Sequence, residues 1–589
     1  MKTKNIFTFS TCLIACLAFS LSCNEFLKVE PNGALKPDLV SNKKGVEALL
    51  VGAYSMLDGA AENVGPGAQW FSAPSNWVYG GIAGGDAHKG TDEGDQPDMN
   101  PIERYESSPV NIAYDTYWTN VYEGVARANS TMKNLALVKD ATPAQKLNIE
   151  AQARSLRAWY HFSLKKMFNK IPYVDDLAPD PGKVKNDVDA WPMIEADIKF
   201  GYDNLTDSMA EVGRINKWVA AAIYGNVLVF EGKWAAAKTV LLDVYNNGRN
   251  PAGTKFGLNA KFADNFNAAT KNSKESVWAV QNSVNDGGGA WNGNWGDVLN
   301  FPYLSGDSPA GCCGFYQPSF ELVNSYRTSA LGLPLLDGSY NVGANQMKTD
   351  LGIDSADPVT GLPAFTPDAG NIDPRLDWTV GRRGIPYLDW GPHLGKSWTR
   401  KQVYGGPYSP IKDVYYKSQS GTFSDKSSWT EGWTANNTNL IRFSDVILML
   451  AECEVEVGTL AQAQAYVNEV RNRMATNPAG WVKNGGVNAA NYVISPYVGF
   501  GPPWDNAANA KKAIHFERKL ELGMEGHRFF DLVRWGEAVA TLNAYLAYES
   551  AILPQLAGAV VVAGQDEYYP IPQRQIDLEG SDVLQQNDR

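Results

Sequence analysis

The sequence predicts a mainly α-helical protein in which irregular tetratricopeptide-like helical hairpins carry a loop-rich lobe. Three observations predict this fold class: two segments with the same hairpin spacing, further amphipathic helical stripes, and a long stretch without helical periodicity. That stretch is rich in Gly, Pro and Asn, which form turns, and in Trp. We therefore divide the chain into an export signal (1–22), a first helical region with hairpins (23–275), a loop-rich ligand-binding lobe (276–439) and a second helical region (440–589).

The hairpins are predicted from paired small residues. Gly225 and Ala237 lie twelve positions apart across a Glu-Gly-Lys turn, and Ala451 and Ala463 have the same spacing. Small residues at these positions let two antiparallel helices approach closely, as they do in tetratricopeptide repeats. Residues 148–168 add an apolar stripe at helical spacing. The repeat is irregular, because the partner of this third helix is displaced.

The N-terminus has the layout of an export signal. Two lysines precede an apolar run over 6–21, which is too short to span a bilayer. The run ends at Ser22-Cys23, and a small residue followed by Cys is typical of a bacterial lipoprotein signal. We predict that the mature chain begins at a lipidated Cys23, with Cys16 as the alternative. No later run is long and apolar enough to span, so the lipid would anchor the protein.

Composition excludes one class of partner. The 589 residues carry a formal net charge of -12, which repels phosphate backbones, so we expect no nucleic-acid binding. The chain contains 18 Trp, and many of them are expected in the core, because large aromatic side chains bury well. Some lie in Gly-rich segments, where burial in the core explains them less well.

Cysteine is sparse beyond the signal. Its spacing forms neither a disulfide framework nor a zinc site. Cys312 and Cys313 are adjacent and could form a vicinal disulfide, but the strain of such a bridge favours two thiols.

The most highly charged stretch is residues 515–536. Glu517, Glu521 and Glu525 fall four apart, with arginines interleaved, so they share one face of a helix. Paired carboxylates can serve general acid and base catalysis when their pKa values differ. Cations packed among these carboxylates would keep them all ionised, so a structural ion-pair network is the preferred interpretation.

The candidate ligand site follows from the aromatics outside the helices. Segments 59–111 and 276–439 combine Trp and Tyr with Gly, Asn and Asp where helical periodicity is absent. Aromatic faces beside such side chains suit sugars, which stack through C–H faces and need hydrogen bonds for their hydroxyls. For each Trp, burial in the core is the alternative. We predict an open glycan-binding face on which Trp77, Trp291 and Trp295 stack, with Asp86 as a hydrogen-bonding partner.

No catalytic residue or cofactor is predicted. The acids between Asp92 and Asp98 could hold a structural Ca²⁺, but their spacing is not that of an EF-hand, and a solvated loop is preferred. Metalloprotease, nucleophile-elbow and phosphate-loop motifs are absent from the sequence, and the five His are scattered.

Several motifs, taken in chain order, resemble the RagB/SusD family of nutrient-binding outer-membrane lipoproteins. Each is weak alone, but their common order spans nearly the whole mature chain. They are FLKVEPNG after Cys23, GVEALLVGAYSML at Gly45, a Trp118/Tyr122/Ala128/Asn129 pattern, RAWYHFSLKKMFNKIPYV at Arg157, GR with a later AAA at Gly213, DPRL at Asp373, the helix at Arg442, ER-x-x-EL-x-x-EG-x-R-x-x-DL-x-RWG at Glu517, and YPIP with QQN at Tyr569.

The resemblance implies a SusD-like fold with four tetratricopeptide-like hairpins and a variable lobe that binds an oligosaccharide. It also implies that the protein binds on top of a SusC-like TonB-dependent transporter. The protein would be lipid-anchored and surface-exposed at the outer membrane of a member of the Bacteroidota. The closing motif lacks the usual Pro-Gly-Tyr ending, and ligand-binding residues do not transfer by motif. Three alternatives stay open: a peptide-binding member of the same family, a surface glycoside hydrolase, and a pure protein scaffold.

Overall fold

The structure is a computed structural model that describes residues 40–60, 69–303, 308–355, 357, 361 and 363–587. The predicted export signal and the Cys23 lipidation site lie outside the described residues. The predicted fold class is confirmed: the chain is mainly α-helical, with short two-stranded sheets. No helix within these described ranges combines the length and the apolar character needed to cross a membrane.

The helices follow one another along the chain and are numbered α1 to α16. They are α1 Lys43–Ser55, α2 Asn100–Glu103, α3 Ile112–Leu135, α4 Pro143–Phe168, α5 Trp191–Asn204, α6 Lys217–Phe230, α7 Trp234–Asn247, α8 Phe320–Ser325, α9 Leu376–Thr379, α10 Gln402–Gly405, α11 Phe443–Val457, α12 Leu460–Ala475, α13 Ala507–Leu522, α14 Arg528–Arg534, α15 Ala538–Glu549 and α16 Gln573–Glu579. Consecutive helices between α3 and α7 pack on one another, and α11 packs on α7, α12 and α13.

Both predicted hairpins are present. The first is α6 with α7, and the second is α11 with α12. A Cβ atom added at Gly225 would overlap the side chain of Leu241 on the facing helix. Ala237, Ala451 and Ala463 are fully buried. Small residues therefore set the close approach of the helices, as the spacing predicted.

The described residues contain four short antiparallel strand pairs, and the first two pairs join segments that are far apart in the chain. They are β1 Ala87–Gly90 with β3 Phe315–Pro318, β2 Ser276–Val280 with β6 Thr438–Arg442, β4 Val380–Gly381 with β5 Ser409–Pro410, and β7 Lys483–Asn484 with β8 Val487–Asn488. In the second pair, Ser276 lies opposite Arg442 and Val280 opposite Thr438. The two ends of the predicted lobe therefore lie side by side. The division into four parts stays a prediction.

The prediction that 59–111 forms part of an open face is wrong for its glycine-rich centre. Trp77–Ile82 is a helical turn, and every residue from Trp77 to Gly90 is buried. A Cβ atom at Gly80 would overlap the carbonyl of Gly526. The glycines are thus needed for close packing of two backbone segments.

Candidate functional site

Four tryptophans of the lobe form one contiguous cluster. The ring centroids of Trp291 and Trp295 lie 4.7 Å apart at 32°, and those of Trp295 and Trp433 lie 3.5 Å apart, nearly perpendicular. Trp429 meets Trp433 edge-on at 6.2 Å. Trp295 and Trp433 are buried, whereas Trp291 and Trp429 are each 59% exposed. Two exposed indoles therefore flank a buried pair, and we call these four residues the tryptophan face.

Two crossing loops hold the tryptophan face in place. The backbone N–H of Asn294 donates to the carbonyl of Thr434 at 2.9 Å, and the Asn285 side chain donates to the carbonyl of Gly421 at 3.1 Å. The indole N–H of Trp295 donates to the carbonyl of Trp291 at 3.1 Å. These bonds order the loops that carry the exposed rings before any ligand arrives, which lowers the entropy lost on binding.

A groove of about 570 Å³ begins next to the loop that carries Trp291. Ser283 and Asn292 border it, and Gln281 adds an exposed amide group. The amide of Asn282 is buried and donates to the carbonyl of Asn436. Amides and hydroxyls can both donate and accept hydrogen bonds. The surface beside the aromatic rings is therefore suited to a ligand with many hydroxyl groups.

The structure places two of the four predicted ligand residues elsewhere. Trp77 is only 1% exposed, and its indole N–H donates to the carbonyl of Gly296 at 2.9 Å. Its ring packs on Phe315 and Tyr316, so it belongs to the core. Trp77 as a stacking residue was therefore a wrong prediction.

Asp86 was also wrongly predicted to contact ligand. Its side chain is 1% exposed, and one carboxylate oxygen accepts the backbone N–H of Met524 at 3.0 Å. Burial raises its pKa to about 6. The carboxylate therefore helps to order the turn at Met524, far from solvent.

Of the two remaining predicted residues, Trp291 is exposed. Trp295 is buried against Trp291 and Trp433, so the prediction that it stacks on ligand was also wrong. Sequence reasoning missed Trp429 and Trp433 as site residues. A signal was available, because Trp429 and Trp433 have the same four-residue spacing as Trp291 and Trp295. The two W-x-x-x-W segments supply one exposed and one buried ring each.

A short loop with a disulfide supports the Trp429 side. The hydroxyl of Thr430 donates to the carbonyl of Ala310 at 3.0 Å. Two residues further on, Cys312 and Cys313 form a vicinal disulfide. The preference for two thiols was therefore wrong.

The predicted ion-pair network is present and buried. Five carboxylates and five cations from the lobe and the helical regions interlock, and all ten side chains are at most 8% exposed. The carboxylates are Asp373, Glu275, Glu517, Glu521 and Glu525, and the cations are Arg375, Lys412, Arg442, Arg471 and Arg473. The network is therefore neutral as a unit.

The electrostatics of this network oppose acid catalysis. Burial alone would raise the pKa of Glu525, but Arg442 and Lys412 outweigh burial and lower it to about 2. Arginines lower the pKa of Glu521 below its usual range in the same way, against burial. A general acid must hold a proton near neutral pH. These carboxylates are ionised and serve structure.

The acidic loop interpreted as solvated is held by cations of the protein itself. Arg400 pairs with Asp92 and Asp95, and Lys401 pairs with Glu93. The ammonium of Lys89 donates to the carbonyls of Asp92 and Asp95 at 2.7 Å each. Among the residues that the structure describes, no three His, Cys, Asp or Glu side chains are grouped as a metal site.

Comparison with known proteins gives the family. A family model described as "SusD family" matches residues 274–589, and another described as "Starch-binding associating with outer membrane" matches residues 90–228. The SusD-like protein P25 of Formosa agariphila is 23% identical over 566 residues, covering 91% of this chain and 90% of that protein. A SusD-like protein of Bacteroides ovatus is 24% identical over 181 residues, covering 28% of this chain and 32% of that protein.

Solved structures share the fold. A SusD superfamily protein from Bacteroides vulgatus aligns over 93% of this chain and 99% of its own, with a TM-score of 0.65 and 19% identity. A structure named as a laminarin-binding SusD-like protein covers 93% and 99%, with a TM-score of 0.61 and 22% identity. Surface glycan-binding protein A from Bacteroides thetaiotaomicron, in complex with laminarihexaose, covers 92% and 99%, with a TM-score of 0.63 and 20% identity.

Proposed function

Because this chain belongs to the SusD family, we propose that it is a surface lipoprotein that binds an oligosaccharide and passes it to a TonB-dependent outer-membrane transporter. Members of the family are binding proteins and not enzymes, which agrees with the predicted class. The glycan, the transporter partner, the lipid anchor and the surface location are parts of this proposal.

The observation that carries the proposal is the exposure of Trp291 and Trp429. They are the two tryptophans in the described part of the chain that are mostly exposed, and both rest on buried rings. An exposed indole that is held by a buried ring presents an ordered apolar face to solvent. A sugar ring can stack on that face. The neighbouring amides of the 570 Å³ groove supply the hydrogen bonds that sugar hydroxyls need.

The ligands named for similar proteins suggest which glycans to test first. Two of the similar structures carry laminarin or laminarihexaose in their names, so β-1,3-glucans are the first probes in a panel that also contains starch oligosaccharides and peptides. The ligand class itself is argued from the tryptophan face. Affinity is expected to be modest, since the transporter must receive what the binder releases.

The test is calorimetry on the mature protein with this panel, followed by Trp291→Ala and Trp429→Ala. Losing one aromatic anchor typically costs 2 kcal/mol or more, so each change is expected to raise Kd roughly 30-fold for the glycan that binds. Trp234→Ala is the matched control, because that partly exposed ring lies on α7, outside the face. Its Kd should be unchanged.

Three outcomes would contradict different parts of the proposal. Tight peptide binding without glycan binding would overturn the ligand class and favour the peptide-binding alternative. An unchanged Kd in both folded variants would overturn the site but keep the ligand. Release of reducing sugar from the bound glycan would contradict a purely binding role.

A further inference from the structure

The groove next to Trp291 extends beyond the lobe onto the helical region. Ser283 and Asn292 border its near end, on the loop that carries Trp291. Its far end is lined by α1 and by the segment 211–214, which precedes α6. The volume of about 570 Å³ lies in the range of pockets that enclose a small ligand, roughly 300–1,000 Å³. The groove is therefore large enough to hold part of a glycan chain.

The far end of the groove presents apolar groups to solvent. Val51 on α1 is 52% exposed and Val212 is 42% exposed, and both line the groove. β2 adds Ala279 and Val280, which are buried. Sugar rings can pack their C–H faces on apolar groups while their hydroxyls stay in contact with water and polar side chains. The exposed valines thus offer a packing surface for a sugar ring that lies beyond the tryptophans.

The far end is held in shape by contacts between its two sides. Arg214 pairs with Glu47 on α1 at 3.3 Å and also with Glu211. Its guanidinium lies 5.7 Å from the centroid of the Tyr54 ring. The Tyr54 hydroxyl accepts the backbone N–H of Ile215 at 2.9 Å. These contacts order the segment 211–214 against α1 before any ligand arrives, which lowers the entropy lost on binding.

The charges in the groove favour a neutral ligand. Among the described residues that line it, Arg214 is the one cation, and Asp58 and Glu211 are acids. Because Arg214 already pairs with Glu211 and Glu47, it cannot supply a free cation to the carboxylate or sulfate of an acidic sugar. Like charges brought together at an interface cost binding energy. An anionic glycan would therefore bind this groove poorly.

We propose that the groove binds the continuation of the glycan chain that stacks on the tryptophan face, so that the ligand is a neutral, linear oligosaccharide. This inference rests on the proposed function. The groove and the tryptophan face are continuous, because Asn292 borders the groove and follows Trp291 directly in the chain. The far end lies on α1 and on 211–214, outside both segments in which the sequence predicted ligand contacts. The helical region therefore takes part in binding and makes affinity depend on chain length.

The experiment is calorimetry on the mature protein with β-1,3-glucan and starch oligosaccharides of two and of six units. For the glycan that binds, the six-unit chain should have a Kd about tenfold lower than the two-unit chain. Val212→Arg and Val51→Arg each place a large side chain in the far end. Both should raise the Kd of the six-unit chain to about that of the two-unit chain, whose own Kd should not change. A six-unit oligouronate should bind no more tightly than the neutral two-unit chain.

Val487→Arg is the matched control, because it makes the same change at an exposed valine on the β7–β8 hairpin, outside the groove. It should keep the wild-type Kd for both chain lengths. Equal Kd values for the two lengths in the wild type, or a wild-type Kd for the six-unit chain in both groove variants, would overturn this inference and leave the proposed function standing. Tighter binding of the oligouronate would overturn the neutral ligand class. Absence of binding by every glycan would overturn the proposed function and this inference together.

Discussion

Glu525 offers the sharpest test of the buried ion-pair network. Its carboxylate accepts from Arg442 at 2.7 and 2.8 Å and from Lys412 at 2.6 Å. Glu525→Gln keeps the shape but removes the negative charge, which leaves the network with one excess buried cation. Breaking a buried pair by removing one partner typically costs about 3–5 kcal/mol.

The pKa of Glu525 gives a second value for the free energy of unfolding that this carboxylate contributes. It falls from its ordinary value of 4.5 to about 2 in the folded protein, where cations outweigh burial. A shift of this size corresponds to about 3 kcal/mol, in order-of-magnitude agreement with the first value. Because the folded pKa is the lower one, this stability is fully present above pH 4.5. It is lost as the pH falls towards 2.

The assay is thermal unfolding at pH 7 and through the acid range. Glu525→Gln should lower Tm by roughly 3 °C at pH 7, and the difference from wild type should shrink between pH 4.5 and pH 2. Glu106→Gln is the matched control, because Glu106 pairs with Arg104 at the surface and is 54% exposed. An exposed pair is worth at most about 1 kcal/mol.

Two results would refute this reasoning. If Glu525→Gln has the wild-type Tm, the network does not stabilise the fold as we infer. If stability is kept while ligand binding vanishes, the network belongs to the functional site and we have misplaced that site.

Two further predictions concern anchoring and pH. Cys23→Ser should leave unprocessed or released protein, and fatty-acid labelling at normal yield in this variant would point to Cys16 as the modified residue. His88 lies buried between Glu103 and Glu549, at 2.9 and 3.0 Å, and these hydrogen bonds outweigh burial and raise its pKa to about 9. The stability from this raised pKa is fully present below pH 6.5 and is lost as pH rises through 9, so wild-type Tm should fall across that window. A His88→Gln variant with the same fall would contradict this assignment.

Local sequence patterns predicted the features of this protein that depend on residues close together in the chain. Small residues at a fixed spacing predicted the hairpins, because close helix packing needs small side chains wherever the hairpin lies in the chain. Glutamates four apart predicted one charged helix face, and Glu517 and Glu521 do lie on α13. The prediction was wrong for Glu525, because α13 ends at Leu522 and Glu525 joins the ion-pair network from the turn that follows. The order of family motifs added the fold and the binding class.

Only the tertiary structure decided which aromatic residues face solvent. Trp77 and Trp291 both lie near glycines in segments without clear helical periodicity, and the sequence treats them alike. Trp77 is buried because Gly296, 219 residues away, accepts its N–H and because Phe315 and Tyr316 cover its ring. Trp291 stays 59% exposed, with its ring packed on Trp295. Exposure depends on contacts between residues far apart in the chain, and local pattern does not encode those contacts.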